Sequence, residues 1–435
     1  MSIQTSKEYM GFWMLVALVS GNMVGSGMFL LPSELAQFGS ISIISWFFTS
    51  CGAILLGLVF CNLSFLFPKL DGGPYIYVRI ALGNFMGFQS GFGYWISLWI
   101  GNCAIVLSMV GYLSFFFPLL ENDLFRTIIA IFIVWFLTII SMFGIKITGR
   151  LQILLMIVKF IPILLIIFIG FWSINFDFFY DFNLTHKSNF SAFNEAASLI
   201  LWAFIGIESA VVMSSRVENP AIIFKATVTG MLVASFFYIL GSVVIIGVVP
   251  ATILVNSNSP FALVATNIIG SYGATIIALI AIISCTGTLN GWMMITAIMS
   301  KTIADTNLLP KFFSKENQFG TPIFGLFSIA ILMTILLLLT MSKNLLRQFE
   351  YIVLMSILSS IVPYFYTALS SILILRKNNI CNKNRLSIIL SFCACIYALW
   401  AIASLGLETI LCGITLFFFS LPVYFFSKSK YFRSA

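Results

Sequence analysis

Three glycines lie close together inside the first apolar segment of the chain, at Gly21, Gly25 and Gly27. Each lowers helix propensity by roughly 1 kcal/mol relative to alanine, so we expect the helix to break there. Unwound backbone is stable in a bilayer only where it is buried in protein or lines a watery cavity. The second half-helix, expected to begin near Gly27, would direct unpaired N–H groups and its positive dipole end into that cavity. Residues 20–27 therefore predict a carboxylate site in mid-membrane.

A later apolar segment, residues 202–209, contains both a glycine and a carboxylate, Gly206 and Glu208. An ionisable group deep in a membrane span is costly and often marks a path for protons or substrate. The alternative is a protonated carboxyl group bonded to a neighbouring helix. Trp202, Ile205 and Glu208 drift only slightly around one helical face. We expect them to place a ring, free backbone and a carboxylate along one cavity.

Other side chains in apolar runs could hold the positive end of a ligand. Trp292 follows a glycine, and a ring stacked on a cation contributes roughly 0.5–2 kcal/mol, although membrane tryptophans also serve in packing and at interfaces. Asn102 could bond a ligand or a neighbouring helix. Lys159 is a cation in mid-span without an evident partner, and Glu34, near the outer rim, is expected to be solvated.

These groups fit a ligand with three charged groups. The half-helix N-terminus would bind a carboxylate, the freed carbonyls of the two breaks would bind an amino group, and rings and amides would surround a further positive charge. Because the cavity has one strong candidate carboxylate, a cation would be held loosely enough to leave. The pattern indicates an amino acid with a positively charged side chain, or its amine.

Composition identifies the class of protein. The 435 residues are 60% hydrophobic and 8% charged, with a mean hydropathy of +1.08, which is typical of an integral membrane protein. No cleavage site follows the first apolar run. The cysteines mostly lie in apolar runs and the single histidine, His186, lies in a polar loop, so neither disulfides nor a metal or other cofactor are expected.

Apolar runs of about 20 residues predict about twelve membrane spans. They lie near 11–38, 42–66, 84–118, 127–145, 151–173, 195–214, 225–250, 261–303, 322–341, 348–375, 386–404 and 407–427. The third and eighth are too long for one perpendicular helix and should tilt or extend beyond the lipid. Most of the 22 Lys and Arg residues fall in loops on the side of the N-terminus, which predicts that both termini are cytoplasmic.

The two irregular segments are the first and sixth spans, so the corresponding segments would cross in opposite directions. That arrangement predicts an all-α protein with an inverted five-plus-five repeat and broken helices 1 and 6. We expect a first half-repeat in 1–173, an extracytoplasmic connector in 174–194, a second half-repeat in 195–375, and two further spans with a cytoplasmic tail in 376–435.

Several motifs carry a resemblance to a known family, and the match covers nearly the whole chain. The sequence resembles the arginine/agmatine antiporters of the basic amino acid/polyamine antiporter branch of the amino acid-polyamine-organocation (APC) superfamily. The motifs that carry it are Ser20 to Gly27, Tyr94-Trp95, Trp99 to Asn102, Trp202 to Ser209, Asn290 to Trp292, Gly320 to Pro322 and Val362 to Tyr364.

The resemblance implies a transporter, usually a homodimer in the bacterial inner membrane, that imports arginine and exports agmatine. Linked to a decarboxylase, such exchange supports acid resistance. It implies binding roles for Asn22, Met23, Gly25, Ser26, Gly27, Ser97, Asn102, Trp202, Ile205, Trp292 and Ser356. Among these, the Ser26 and Gly27 N–H groups would bind the carboxylate, the Met23, Trp202 and Ile205 carbonyls would face the amino group, and Trp292 would stack on the guanidinium. It also implies an outer gate of Tyr94, Glu208 and Tyr364, with Glu208 responding to pH.

The pocket departs from the family pattern at Ser97, Leu98 and Ile105, and the bulkier Leu98 could shorten it. The alternative is an antiporter or uniporter for another cationic or neutral amino acid or a polyamine, such as ornithine, lysine or putrescine. A channel would need a continuous polar pore, and an enzyme would need a nucleophile with a base or a metal cluster, none of which the sequence indicates. Nothing points to nucleic acid. A membrane solute sensor that binds without transport is a remote alternative.

Overall fold

The computed structural model describes residues 10–68, 70, 72–143, 159–212, 214, 217, 219–341, 344–377 and 385–433. Within these ranges the regular secondary structure is entirely helical. The helices are α1 (Phe12–Met23), α2 (Ser26–Ala36), α3 (Ile41–Leu66), α4 (Pro74–Ser114), α5 (Asp123–Ser141), α6 (Lys159–Phe171), α7 (Asn189–Ile200), α8 (Ser209–Val212), α9 (Pro220–Val248), α10 (Ala251–Leu254), α11 (Pro260–Ile269), α12 (Ser271–Asp305), α13 (Ile323–Leu339), α14 (Leu345–Lys377), α15 (Arg385–Ser404) and α16 (Leu407–Arg433).

Ten helical stretches in the described part of the chain are long and apolar enough to cross a membrane. They coincide with all the predicted spans but the fifth and the ninth, which are the shorter apolar helices α6 and α13. Residues 151–158, predicted to begin the fifth span, lie outside the described residues. The protein is therefore an all-α, multi-pass membrane protein. The twelve-helix count and the inverted repeat stay predictions.

Sharp turns lie just before the third predicted span and within the eighth, while the expectation that these spans tilt or extend beyond the lipid stays a prediction. In α4, Gly83 has a φ of 87°, and a Cβ atom built on Gly87 would lie 2.6 Å from Cβ of Arg79. Residues 74–82 thus fold back against the start of the crossing segment. Gly270, with a φ of 86°, likewise separates α11 from α12. A left-handed glycine can reverse a helical chain, which hydrophobic length alone does not reveal.

The bundle has two ends that can be told apart by their contacts. At one end α2 turns into α3, and the Ser40 N–H donates to the carbonyl of Asp181. At the other end α1 begins and α3 finishes. We call the second the inner end, because the distribution of basic residues predicts that it is cytoplasmic. The first is the outer end.

Small residues allow close packing around the first span. A Cβ atom on Gly230 of α9 would lie 2.8 Å from Cβ of Val19 and 3.3 Å from the backbone nitrogen of Ser20. Glycine at such crossings permits the backbone approach on which helix association in membranes depends. Helix α9 thus supports α1 immediately before its interruption.

We predict that Gly230→Ala destabilises the protein, because the added methyl group must displace the backbone of α1. Overpacking of this kind costs roughly 1–3 kcal/mol, which should lower the unfolding temperature measured by fluorescence-detected size-exclusion chromatography. Gly11→Ala is the matched control, since a Cβ atom there would meet nothing within 4 Å. Equal unfolding temperatures for the two variants would contradict the close approach of α9 to α1.

Candidate binding cavity between two helix interruptions

The first span is interrupted between α1 and α2, at Val24 and Gly25. Gly25 has φ −129° and ψ −130°, and a Cβ atom on it would lie 2.9 Å from Cγ2 of Thr288. Helix α2 begins at Ser26, one residue before the predicted start. The N–H groups of Ser26 and Gly27 therefore belong to its first turn, where a helix offers them no carbonyl of its own.

A second interruption lies opposite the first. Helix α7 ends at Ile200, a short 3-10 turn follows over Leu201–Phe204, and α8 begins only at Ser209. Gly206 between them has a φ of 111°. The side-chain amide of Asn22 donates to Oγ of Ser209 at 2.9 Å, which joins the two interruptions directly.

A cavity lies between the two interruptions. The structure brings together at this cavity every residue to which the resemblance assigned binding. These are Asn22, Met23, Gly25, Ser26, Gly27, Ser97, Asn102, Trp202, Ile205, Trp292 and Ser356. Their roles toward a ligand remain predictions.

Four further residues line the same cavity. Leu98 and Ile105 are the departures already identified in the sequence, so their bulk does reach the cavity. Gly101 and Thr288 are additional. Gly101 belongs to a motif that carried the resemblance, whereas nothing local marks Thr288, whose position depends on its contact with Gly25.

Both tryptophans are fixed by the first interruption. The indole N–H of Trp202 is 3.3 Å from Oγ of Ser26, and that of Trp292 is 3.3 Å from the carbonyl oxygen of Asn22. A Cβ atom on Gly101 would lie 2.6 Å from the Trp202 ring, so only glycine leaves space for the indole there. The rings therefore form fixed walls of the cavity.

Another part of the lining consists of neutral polar groups. The Ser356 hydroxyl donates to the Ser97 carbonyl at 2.8 Å, and the Ser97 hydroxyl lies within hydrogen-bond distance of both Ser356 and Ser360. Nearby, the amide of Asn102 is 3.5 Å from Oγ1 of Thr296. The described lining includes no charged side chain. A cation here would be held by dipoles and rings alone.

The predicted carbonyl acceptors differ in availability. The Met23 carbonyl already accepts hydrogen bonds from the Tyr238 hydroxyl at 2.8 Å and from the Gly25 N–H at 2.9 Å. That of Trp202 accepts from the Ile205 N–H at 3.2 Å. Among the described residues none donates to the carbonyl of Ile205. Ile205 is thus the most available acceptor for an amino group.

Lys159 has the partners that the sequence did not reveal. Its ammonium group, buried at the start of α6, donates to the carbonyls of Gly21 at 2.6 Å and Val24 at 2.5 Å. Both acceptors belong to the first interruption. The lysine thus satisfies carbonyls that lipid could not.

The three predicted gating residues form one buried cluster. The carboxylate of Glu208 is fully buried; it accepts a hydrogen bond from the Tyr364 hydroxyl at 2.5 Å on Oε2 and one from the Tyr94 hydroxyl on Oε1. These side chains come from α4, from α14 and from the segment before α8. One carboxylate therefore joins three elements.

In the predicted orientation this cluster lies at the inner side of the cavity, which does not fit the outer gate that the resemblance implied. From Glu208 the chain runs through α8 to Ser214, whose hydroxyl donates to the carbonyl of Leu70 at 2.7 Å. Leu70 follows α3 at the inner end. On α4, likewise, Tyr94 lies about 10 Å nearer the inner end than Gly101, at 1.5 Å per residue.

Comparison with known proteins gives matches along nearly the whole chain. The profile of the amino acid permease family matches residues 10–432. A putative arginine/ornithine antiporter of Bacillus subtilis is 32% identical, over 97% of this chain and 97% of that protein. The putrescine transporter PotE of Escherichia coli K12 is 31% identical, over 97% of this chain and 96% of that protein. A cadaverine/lysine antiporter of the same strain is 31% identical, over 92% of this chain and 90% of that protein.

We predict that Lys159→Met lowers the unfolding temperature, because it leaves the carbonyls of Gly21 and Val24 without their donor. A buried polar group that loses its partner costs roughly 1–3 kcal/mol. Lys187→Met is the control, since that lysine forms an exposed pair with Glu195 and should change the unfolding temperature little. A shift no larger for Lys159→Met than for this control would contradict the role of its ammonium group.

Proposed function

Because this chain belongs to the amino acid permease family, we propose that it is an antiporter that exchanges a cationic amino acid for the corresponding amine. The protein is a membrane transporter of the amino acid and polyamine type and not an enzyme. The motifs favour external arginine and internal agmatine as the pair. We place it in a bacterial inner membrane with both termini in the cytoplasm, as a homodimer. A decarboxylase would link the two substrates and so support acid resistance.

The observation that carries the proposal is the meeting of both helix interruptions with two indole rings at one cavity. The N–H groups of Ser26 and Gly27 would bind the substrate carboxylate, and the Ile205 carbonyl would accept from its amino group. The side-chain cation would stack on Trp292 near Asn102 and Ser356. Agmatine lacks the carboxylate and so would use only part of these contacts.

Exchange requires that the cavity open alternately to each side, by movement of one helical bundle against the other. In the proposal, Tyr94, Glu208 and Tyr364 close the inner side, and their separation opens it. The substrate must bind the outward and inward states with similar free energy, or it would trap one of them. A cavity without charged lining residues suits this requirement, because it would hold the cation loosely.

A second substrate pair, an amino acid with a side-chain ammonium group and its diamine, is favoured by the lining. Leu98 and Ile105 line the cavity, where the bulk of Leu98 would shorten the space for a guanidinium, and the hydroxyl groups of Ser97 and Ser356 are acceptors that suit a compact ammonium group. The three relatives named above are described as handling ornithine, putrescine, lysine or cadaverine as well as arginine.

Counterflow in proteoliposomes tests the function and separates the pairs. Vesicles loaded with unlabelled agmatine should accumulate labelled arginine if the protein is an exchanger. A panel of arginine, agmatine, lysine, ornithine and putrescine on both sides then identifies the pair. Binding of these compounds without counterflow would leave a solute sensor and would refute exchange.

We predict that Trp292→Ala weakens substrate binding by about 0.5–2 kcal/mol, the range for loss of a cation–ring contact. Trp202→Ala should impair exchange, because its ring then no longer closes the cavity. Calorimetric titration measures the first effect and counterflow the second. Trp172→Ala is the control for both, since that side chain lies just after the end of α6 and is 74% exposed. Normal binding and exchange in both cavity variants would refute the assigned site.

We also predict that Glu208→Gln flattens the pH dependence of exchange. Glutamine keeps the size of the side chain but cannot ionise, so the inner cluster would no longer differ between acid and neutral pH. Exchange rates across that range, with Glu195→Gln as an exposed control, measure the effect. An unchanged pH profile in Glu208→Gln would remove Glu208 from the proposed pH response.

A further inference from the structure

Glu34 is a buried carboxylate outside the cavity. The sequence suggested that it is solvated, but it is only 5% exposed, and its Oε1 atom has no hydrogen-bond partner within the described part of the chain. An unpaired buried carboxylate oxygen carries a large desolvation cost. The expectation of solvation was therefore wrong, and the position calls for a positively charged or hydrogen-bonding occupant.

A second carboxylate, that of Glu350, lies near Glu34. Glu350 of α14 is partly buried and acts electrostatically on Glu34 of α2. Helices α2 and α14 also contribute Ser26 and Ser356 to the binding cavity. These two helices, which both contribute to the cavity lining, thus also carry the two acidic side chains.

Both glutamates lie on the outer side of the cavity. At 1.5 Å per residue, Glu34 is about 12 Å from Ser26 along α2 and Glu350 is about 9 Å from Ser356 along α14. The loop that precedes α11 contacts the elements around both glutamates, which places Glu34 and Glu350 at the same end of the bundle. The carbonyl of Ser257 there accepts from the hydroxyl of Ser33, next to Glu34. The carbonyl oxygen of Asn258 and the side chain of Leu345, at the start of α14, both lie close to Gly111.

We propose that Glu34 and Glu350 form an outer cation site, which holds the ammonium or guanidinium group of an incoming substrate before it enters the binding cavity. The site is separate from that cavity, because about 10 Å divides them along the helices. The inference rests on the proposed function, since it takes its cation from the exchanged substrate.

An acidic outer site would help to bring a cation to a cavity whose own lining is uncharged. The cavity lining has no charged side chain, so the cavity alone attracts a cation from solution only weakly. Acidic groups at the mouth of a low-dielectric cleft raise the local concentration and the association rate of cations. Toward the inner end the next buried carboxylate, Glu208, is already held by two tyrosines.

Transport from each side separately tests the proposal. Right-side-out and inside-out membrane vesicles with the parent protein, Glu34→Gln or Glu350→Gln give the KM for labelled arginine and labelled putrescine on each face. We expect the outer KM of each variant to rise roughly fivefold, the size expected for one partly screened charge pair. The inner KM should not change, and the outer KM should depend less on ionic strength.

Further variants show whether a rise in the outer KM is specific to the proposed site. Glu121→Gln removes an exposed carboxylate at the outer end and should leave the outer KM unchanged, and Glu34→Asp should largely preserve it. If Glu34→Gln does not reach the membrane, the partly exposed Glu350 provides the test. An unchanged outer KM, or an equal rise on both faces, overturns the outer site alone. Absence of exchange by the parent protein overturns the proposed function as well.

Discussion

Hydrogen bonding of the backbone inside the membrane is the constraint on which this structure depends. Interrupting the first span leaves carbonyl and N–H groups that lipid cannot satisfy. The structure supplies partners for the carbonyls from distant helices: the ammonium of Lys159, the hydroxyl of Tyr238 and the indole of Trp292. The first N–H groups of α2 instead face the cavity. The break is thus stabilised on its acceptor side, and we propose that its donor side binds an anion.

Glycine is required at this site for two different reasons. Gly206 adopts a left-handed conformation, with a φ of 111°. Gly25 and Gly101 instead leave space, because a Cβ atom on either would approach Thr288 or the Trp202 ring to within 3 Å. The same residue type therefore both opens the helices and lets the cavity walls close around the opening.

Sequence reasoning located the parts of the site that depend on local chemistry. The spacing of Gly21, Gly25 and Gly27 was sufficient to predict the first interruption within a residue, because helix propensity is a local property. The turn at Gly270, inside the predicted eighth span, was missed, since a glycine inside an apolar run does not show whether the chain reverses there. Tyr94, Glu208 and Tyr364 do form one cluster, but at the opposite end of the bundle from the one expected, and their gating role stays a prediction.

Features that depend on distant contacts were not accessible in this way. Lys159 and its two carbonyl acceptors are separated by more than 130 positions, so its role could not be derived from its own surroundings in the sequence. Glu34 was misjudged for a similar reason. Its predicted place near the outer rim suggested solvation, whereas the elements that pack around α2 bury it.

In the proposed exchange cycle, the manner in which Glu208 is held limits how the inner side can open. The hydroxyls of Tyr94 and Tyr364 donate to different oxygens of one carboxylate, and they belong to α4 and α14 respectively. Any separation of these two helices must break at least one of the bonds while the carboxylate is still out of reach of water. The first fraction of the movement is therefore the most costly, and partial leakage past a closed cluster is disfavoured. Opening at this end should be an all-or-none event instead of a gradual widening.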